Sequence, residues 1–195
     1  MKVIAATKNK GKIREMTEIL SPLGIEIVPQ EEVGIEVDVE ETGDTFEKNA
    51  LIQARAVRMV SDYPVLADDS GLCVECLNGA PGVRSARYAG DNATDEDKIN
   101  KLLSEIGEAE NRNARFVTSV AIIFEDGREV TAEGSVDGSI TKEPHGEGGF
   151  GYDPVFYSPE LGKTFAESTD DEKNSVSHRG RALKNLFEKL KNMEA

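Results

Sequence analysis

Apolar residues recur at Ile13, Met16, Ile19 and Leu20, the spacing of one helix face, until Pro22 and Gly24 stop the pattern. Ahead of them KVIAAT, dense in β-branched and small apolar residues, predicts a short buried strand, and IEIVP predicts a second after the helix. Strand, polar loop, helix, strand is the opening order of an α/β fold. A further helix follows the acidic stretch QEEVGIEVDVEETGDTF, with Asp44 or Thr45 as its cap, Phe46, Ala50, Ala54 and Val57 as apolar positions, and Tyr63 and Pro64 as its end. PVLA reads as a strand that ends by delivering Asp68 and Asp69. LCVECL is extended again, and NGAPGVRSARYAGDNAT is a long Gly/Pro loop of a length that is often functional. Thr94 and Asp97 resemble a capping box ahead of the stripe Ile99, Leu102, Leu103 and Ile106. ARFVTSVAIIF and REVTAEGSV flank the turn EDG as a hairpin, and Ala182, Leu183, Leu186, Phe187, Leu190 and Met193 share a face of a terminal helix. No repeat, low-complexity tract or composition shift marks a linker, so residues 1–195 read as one continuous domain.

Composition narrows the class. With 38% hydrophobic and 31% charged residues the chain belongs among soluble globular proteins. No window approaches the roughly 20 apolar residues of a membrane span, and MKVIAATKNKGK meets polar residues too early for a signal peptide, so a cytoplasmic protein without a membrane partner is expected. Basic residues number 23 against 37 acidic ones, a net charge of −14. That field repels a bare phosphate polymer, and no basic run of five or more offsets it, so no nucleic-acid partner is expected. A small phosphate ligand stays compatible, because a few lysines and a divalent cation reverse the sign locally. Cys73 and Cys76 lie on a predicted strand, where residues three apart face opposite ways, and read as packed thiols. With His145 and His178 as the two histidines, a His/Cys zinc site lacks ligands.

Several stretches carry residues suited to chemistry. ATKNKGKI resembles a phosphate loop without being one, since Ala6 stands where glycine is needed and Ile13 where Ser or Thr is needed. The physical idea survives: a strand ends, Thr7 and Asn9 offer hydrogen bonds, and Lys8, Lys10, Gly11 and Lys12 lead into a helix start whose free N–H groups favour anions. A solvated capping loop is the alternative. Asp68 and Asp69 would repel each other if buried together, and magnesium with oxygen ligands is the natural counter-ion; a capping pair at a turn is the plainer reading. Strand alternation lets one acid face the metal while the other takes a structural role. One of Glu40 and Glu41 could reach the same cation, although alone they look like surface charge. GEGGFGYDP exposes backbone and supplies Phe150 for stacking, or else forms a tight loop with a core-facing aromatic, and EKNSVSHRG brings Lys173, Ser177, His178 and Arg179 close to a helix start.

Taken in order, ATKNKGK, EETGDTFEKNA, ADDSGL, GAPGVRSARYAG, GGFGYDPVF and EKNSVSHRG resemble the inosine/xanthosine triphosphate pyrophosphatase family over nearly the whole chain. The resemblance implies an elongated α/β protein with a mixed central sheet flanked by helices, two lobes with the active site in the cleft between them, and a homodimer. It implies Mg2+-dependent attack of water at the α-phosphorus of ITP, dITP or XTP, giving the monophosphate and pyrophosphate. Thr7, Lys8, Asn9, Lys10, Gly11 and Lys12 match the triphosphate loop, Glu40 the metal-binding acid, and Asp69 both the catalytic base and a metal ligand. Ser70, Phe150, Gly151, Tyr152, Asp153, Lys173, His178 and Arg179 match nucleotide contacts. Lys8 departs from the glycine of many relatives, and Tyr152 stands where some have tryptophan. Two other readings are a related house-cleaning pyrophosphatase preferring pyrimidine or methylated nucleotides, and a nucleotide sensor without hydrolysis.

Overall fold

The computed structural model describes residues 1–194. Its elements are β1 (Lys2–Ala5), α1 (Lys10–Leu20), β2 (Glu26–Pro29), α2 (Phe46–Arg58), β3 (Val65–Val74), α3 (Asp95–Ile106), β4 (Asn113–Ile123), β5 (Glu129–Ile140), β6 (Phe156–Ser158), β7 (Lys163–Thr164), α4 (Asp170–Val176) and α5 (His178–Glu194). The strands form the expected mixed sheet, seven-stranded and ordered β2-β1-β3-β4-β5-β6-β7. Pairing is parallel from β1 to β2 and β3, and antiparallel from β6 to β5 and β7. The chain divides into two compact units. The first comprises residues 1–69, 118–134 and the segment from His178; the second comprises 70–117 and 135–177.

In the first unit the two-residue strand period sorts the core onto two sheet faces. Val3 and Ala5, Leu66, and Val120 and Ile122 join Met16 and Leu20 of α1 and Ala182, Leu183 and Leu186 of α5. The alternate residues Ile4 and Ala6, Val65 and Ala67, and Ala121 and Ile123 join Ala50, Ala54 and Val57 of α2. Burial on both faces is why these strands read as nearly continuous apolar runs. In the second unit Leu72, Val74, Leu102 and Val136 pack with an aromatic group in which Phe156 lies 4.5 Å from Phe116 and 4.9 Å from Phe165. The expected Thr94–Asp97 capping box opens α3.

Several boundaries differ from the sequence reading. α1 starts at Lys10, ahead of its apolar stripe, because the Asn9 side chain accepts the Lys12 backbone N–H at 3.1 Å. α2 ends at Arg58, short of Tyr63, and the Arg58 guanidinium turns to the carbonyls of Ser61, Phe124 and Glu125. β3 continues through both acids to Val74, and Cys76 falls in the helical turn that follows. Cys73 and Cys76 are unbridged, as expected. No helix among the described residues is long and apolar enough to cross a membrane.

Gly134 on β5 sits directly against α5. A Cβ there would come closer than 3.0 Å to backbone atoms of His178, Arg181 and Ala182. Helix backbone cannot swing aside as a side-chain tip can, so Gly134→Ala should destabilise the fold by about 1–3 kcal/mol. Thermal unfolding checks this; an unchanged melting temperature would show slack beneath α5.

Candidate active site

Alternation along β3 separates the two adjacent acids. Asp68 has the parity of Leu66 and turns to the side of α1 and α5, while Asp69 has the parity of Val65 and Ala67 and turns toward α2. The acids therefore lie mid-strand rather than at a strand end, which is tolerable because each finds polar partners there.

Asp68 is fully buried. Its Oδ2 accepts from Arg179 Nε at 3.1 Å and Nη2 at 2.8 Å, and Lys12 Nζ lies 3.4 Å from Oδ1. Lys12 also donates to the Asp68 carbonyl at 3.1 Å. The remaining arm of the Arg179 fork, Nη1, donates to Glu15, itself buried on α1. Burial alone would raise the Asp68 pKa, but the Arg179 and Lys12 charges outweigh it and hold the carboxyl below its ordinary range. Burial likewise opposes the Arg179 charge, and Asp68 and Glu15 hold its pKa above the usual value.

Asp69 is in a different state. Its Oδ2 accepts from Asn49 Nδ2 of α2 at 3.0 Å, a neutral donor rather than a cation. Burial first, and then the negative charge of Glu41, push its pKa up to about 7, against smaller opposing effects of Lys12 and Asn49. A carboxyl poised near neutrality is suited to accepting a proton at working pH. Of the two adjacent glutamates, the one whose charge reaches it is Glu41, not Glu40, the acid chosen by resemblance. Glu40 is exposed, whereas Glu41 is half-buried, accepts from Gln53 Nε2, and lines a cavity of about 150 Å³ with Thr7, Lys8 and Gln53. Two adjacent glutamates are indistinguishable by type, and the path of the backbone before α2 selects between them.

The expected phosphate loop occupies the turn from β1 into α1. Thr7 Oγ1 accepts from the Asn9 N–H at 3.2 Å, Asn9 caps the helix, and Lys10 and Gly11 begin it, so the first helical N–H groups face out of its N-terminus. The three lysines diverge: Lys8 approaches Asp38 at 3.4 Å on the surface, Lys10 is exposed, and Lys12 turns inward to Asp68. His178 and Arg179 open α5 and are buried. The resemblance makes Arg179 a nucleotide contact; in this structure its guanidinium is committed to two carboxylates.

The second unit holds the other candidates. Ser70 follows Asp69 on β3 and is half-buried. The turn at Phe150–Asp153 uses positive φ at Gly149 (69°) and Gly151 (62°), and Asp153 Oδ2 ties it together by accepting from Phe150 N at 2.9 Å and Lys173 Nζ at 2.5 Å. The Lys173 ammonium lies 4.8 Å from the Phe150 ring centroid, a cation–π arrangement. Gly151 N–H donates to Asp95 at 2.8 Å. Tyr152 is a core residue whose hydroxyl donates to the Ser85 carbonyl at 2.7 Å, so its ring is spent on packing while Phe150 stays half-exposed.

Asn49, Gln53 and Glu15 escape the sequence reading. Asn49 and Gln53 directly precede Ala50 and Ala54, and Glu15 precedes Met16, so each reads as the polar flank of an apolar stripe.

The chain matches the Ham1 family model over residues 3–189. It is 48% identical to a dITP/XTP pyrophosphatase of Escherichia coli O157:H7 over 98% of each chain, and 49% identical to a dITP/XTP pyrophosphatase of Treponema denticola over 94% of this chain and 95% of that one. Among solved structures, the Staphylococcus aureus Ham1 protein superposes with a TM-score of 0.86 at 40% identity, covering all of both chains.

Proposed function

Because this chain belongs to the Ham1 family, we propose that it hydrolyses dITP, ITP and XTP to the nucleoside monophosphate and pyrophosphate. The observation that carries the chemistry is Asp69: a carboxyl held near neutrality by burial and by Glu41, and oriented by the neutral Asn49 amide. Asp69 takes a proton from water as the water oxygen bonds to the α-phosphorus and the bond to the bridging oxygen of the pyrophosphate breaks. The N-terminus of α1 receives phosphate oxygens on its free N–H groups, with Lys10 and Lys8 adding positive charge around it.

Asp69 and Glu41 are the pair we assign to Mg2+. The donors are hard oxygens, and the Glu41 charge raises the cost of ionising Asp69, which a cation relieves. Among the described residues no three acids, histidines or cysteines form a cage, which suits magnesium, since it commonly takes one or two carboxylates and completes its shell with phosphate and water. When bound, the ion supplies charge stabilisation to phosphate oxygens. Glu41→Gln should lower kcat/KM by about 10–100-fold and raise the divalent requirement, whereas Glu40→Gln should stay within about 3-fold. The reverse ranking would return the metal to Glu40.

For base selection we assign stacking to Phe150 and hydrogen bonding to Lys173 beside it in the second unit. Hypoxanthine and xanthine carry a 6-oxo group where adenine has an amine, and a donor left unpaired by the wrong base discriminates by up to about 10⁴-fold. We further read the chain as a cytoplasmic homodimeric enzyme whose two units serve one functional domain. The test is a panel of dITP, XTP, dATP, dGTP, dTTP and UTP with product identification. Pyrophosphate from dITP and XTP, with the other nucleotides cleaved at least about 10²-fold less efficiently, is expected. Orthophosphate as product, binding without turnover, or a pyrimidine preference would overturn the reading.

A further inference from the structure

On α2, Asn49 is 1% exposed and carries two hydrogen bonds that lead in different directions. Its Nδ2 donates to Asp69 Oδ2 at 3.0 Å, and its Oδ1 accepts from the Gly43 backbone N–H at 2.7 Å. Gly43 lies two residues from Glu41, in the segment that enters α2. A Cβ at Gly43 would come to 2.5 Å from Asn49 Oδ1 and 2.8 Å from Lys48 Cβ, so the segment approaches the amide as closely as it does because residue 43 has no side chain. One turn on, on the same face of the helix, Gln53 donates to Glu41.

We propose that Asn49 is a positioning residue for the hydrolytic reaction: its amide locks the Asp69 carboxylate to the backbone that carries Glu41, fixing the spacing of the two acids. This rests on the function proposed above. The choice of group follows from what it must do. A carboxamide is a rigid planar unit with a donor and an acceptor side by side, so it can hold a carboxylate and a backbone N–H at once. It is also uncharged. A lysine or arginine in its place would neutralise Asp69 and weaken its pull on a cation, whereas Asn49 orients the acid and leaves its charge available. Groups that orient metal-binding carboxylates typically govern affinity or activity by about 10–100-fold.

Asn49→Leu removes both hydrogen bonds at similar volume, and Asn49→Asp keeps an acceptor for Gly43 while losing the donor to Asp69. Three readouts are compared with the parent protein: steady-state kinetics on dITP, Mn2+ affinity by calorimetry without nucleotide, and hydrogen exchange of the Gly43 amide. Asn49→Leu should lose kcat by about 10–100-fold with KM within about 3-fold, bind Mn2+ more weakly, and expose the Gly43 amide to exchange. Asn49→Asp should keep the Gly43 amide protected while kcat falls at least as far; a helix that merely lost stability would not split the readouts in this way. The proposal is overturned if Asn49→Leu retains kcat and Mn2+ affinity, if its Gly43 amide stays protected, or if KM rises at constant kcat. Should Asn49→Leu fail to fold, full activity in Asn49→Asp overturns it equally. If the parent protein cleaves no dITP or XTP, the functional reading fails instead, and Mn2+ affinity and amide exchange still judge the clamp.

Discussion

Asp69→Asn should turn over dITP about 10²–10⁴-fold more slowly than the parent protein, and in the absence of divalent cations at about pH 8 it should unfold at a higher temperature. Both effects come from the same burial. In the fold the Asp69 pKa stands at about 7, against 3.8 for an ordinary aspartate. Because the folded value is the higher one, the unfolded chain gives up its proton first as pH rises, and the native state loses stability between those two values. Above the folded pKa the whole cost is present, on the order of 4 kcal/mol for a difference of about three pH units. Asparagine cannot ionise and so escapes it. The stabilisation should shrink to roughly a third by about pH 5, where the folded parent keeps its proton and the cost has only begun to accumulate. Differential scanning calorimetry at both pH values reads the effect; equal melting temperatures for parent and variant at about pH 8 would mean that Asp69 ionises without penalty.

Arg179→Met should have the opposite consequence, a destabilisation of about 3–5 kcal/mol at neutral pH. The parent guanidinium holds Asp68 through two of its nitrogens and Glu15 through the third, and removing it leaves both carboxylates deep in the first unit. Lys12 reaches Asp68 alone and at 3.4 Å, so it cannot replace the fork. The pH dependence should invert as well. In the parent, Asp68 has a folded pKa below its unfolded one, so its contribution is present above the unfolded value and is lost as pH falls through the folded one. In the variant the stranded carboxylates favour their protonated forms, and mild acid should stabilise the protein. Arg179→Lys should fall between, since one ammonium cannot satisfy two carboxylates in a fork geometry. Urea unfolding across pH measures both; a variant within about 1 kcal/mol of the parent would mean that water enters and pays for the lost charge.

Much of this was legible before any coordinates. The strand and helix order came from apolar periodicity, and strand alternation already set Asp68 and Asp69 on opposite faces, which leaves room for different roles. What the sequence withheld was the partner of each acid. Arg179 lies 111 residues from Asp68 in the chain, and nothing local distinguishes a guanidinium that will meet a base from one that will meet two buried carboxylates. Glu40 and Glu41 could not be separated because the segment before α2 lacks a strand or helix period to say which side chain turns inward. Asn49 was overlooked for a related reason: polar residues on a helix are ordinarily solvent-facing, and the carboxylate that takes its amide lies on another element, 20 residues on.

The alternation along β3 has a bearing on which kinds of mutation the protein can survive. Side chains there can be exchanged one at a time with graded losses, but deleting or inserting a single residue between Val65 and Asp68 would deliver each acid to the other's neighbours, setting one beside an amide meant for its twin and the other beside a guanidinium that would quench it. The count of residues in this strand is thus held more tightly than their identities, and drift in length should be confined to the outer loops.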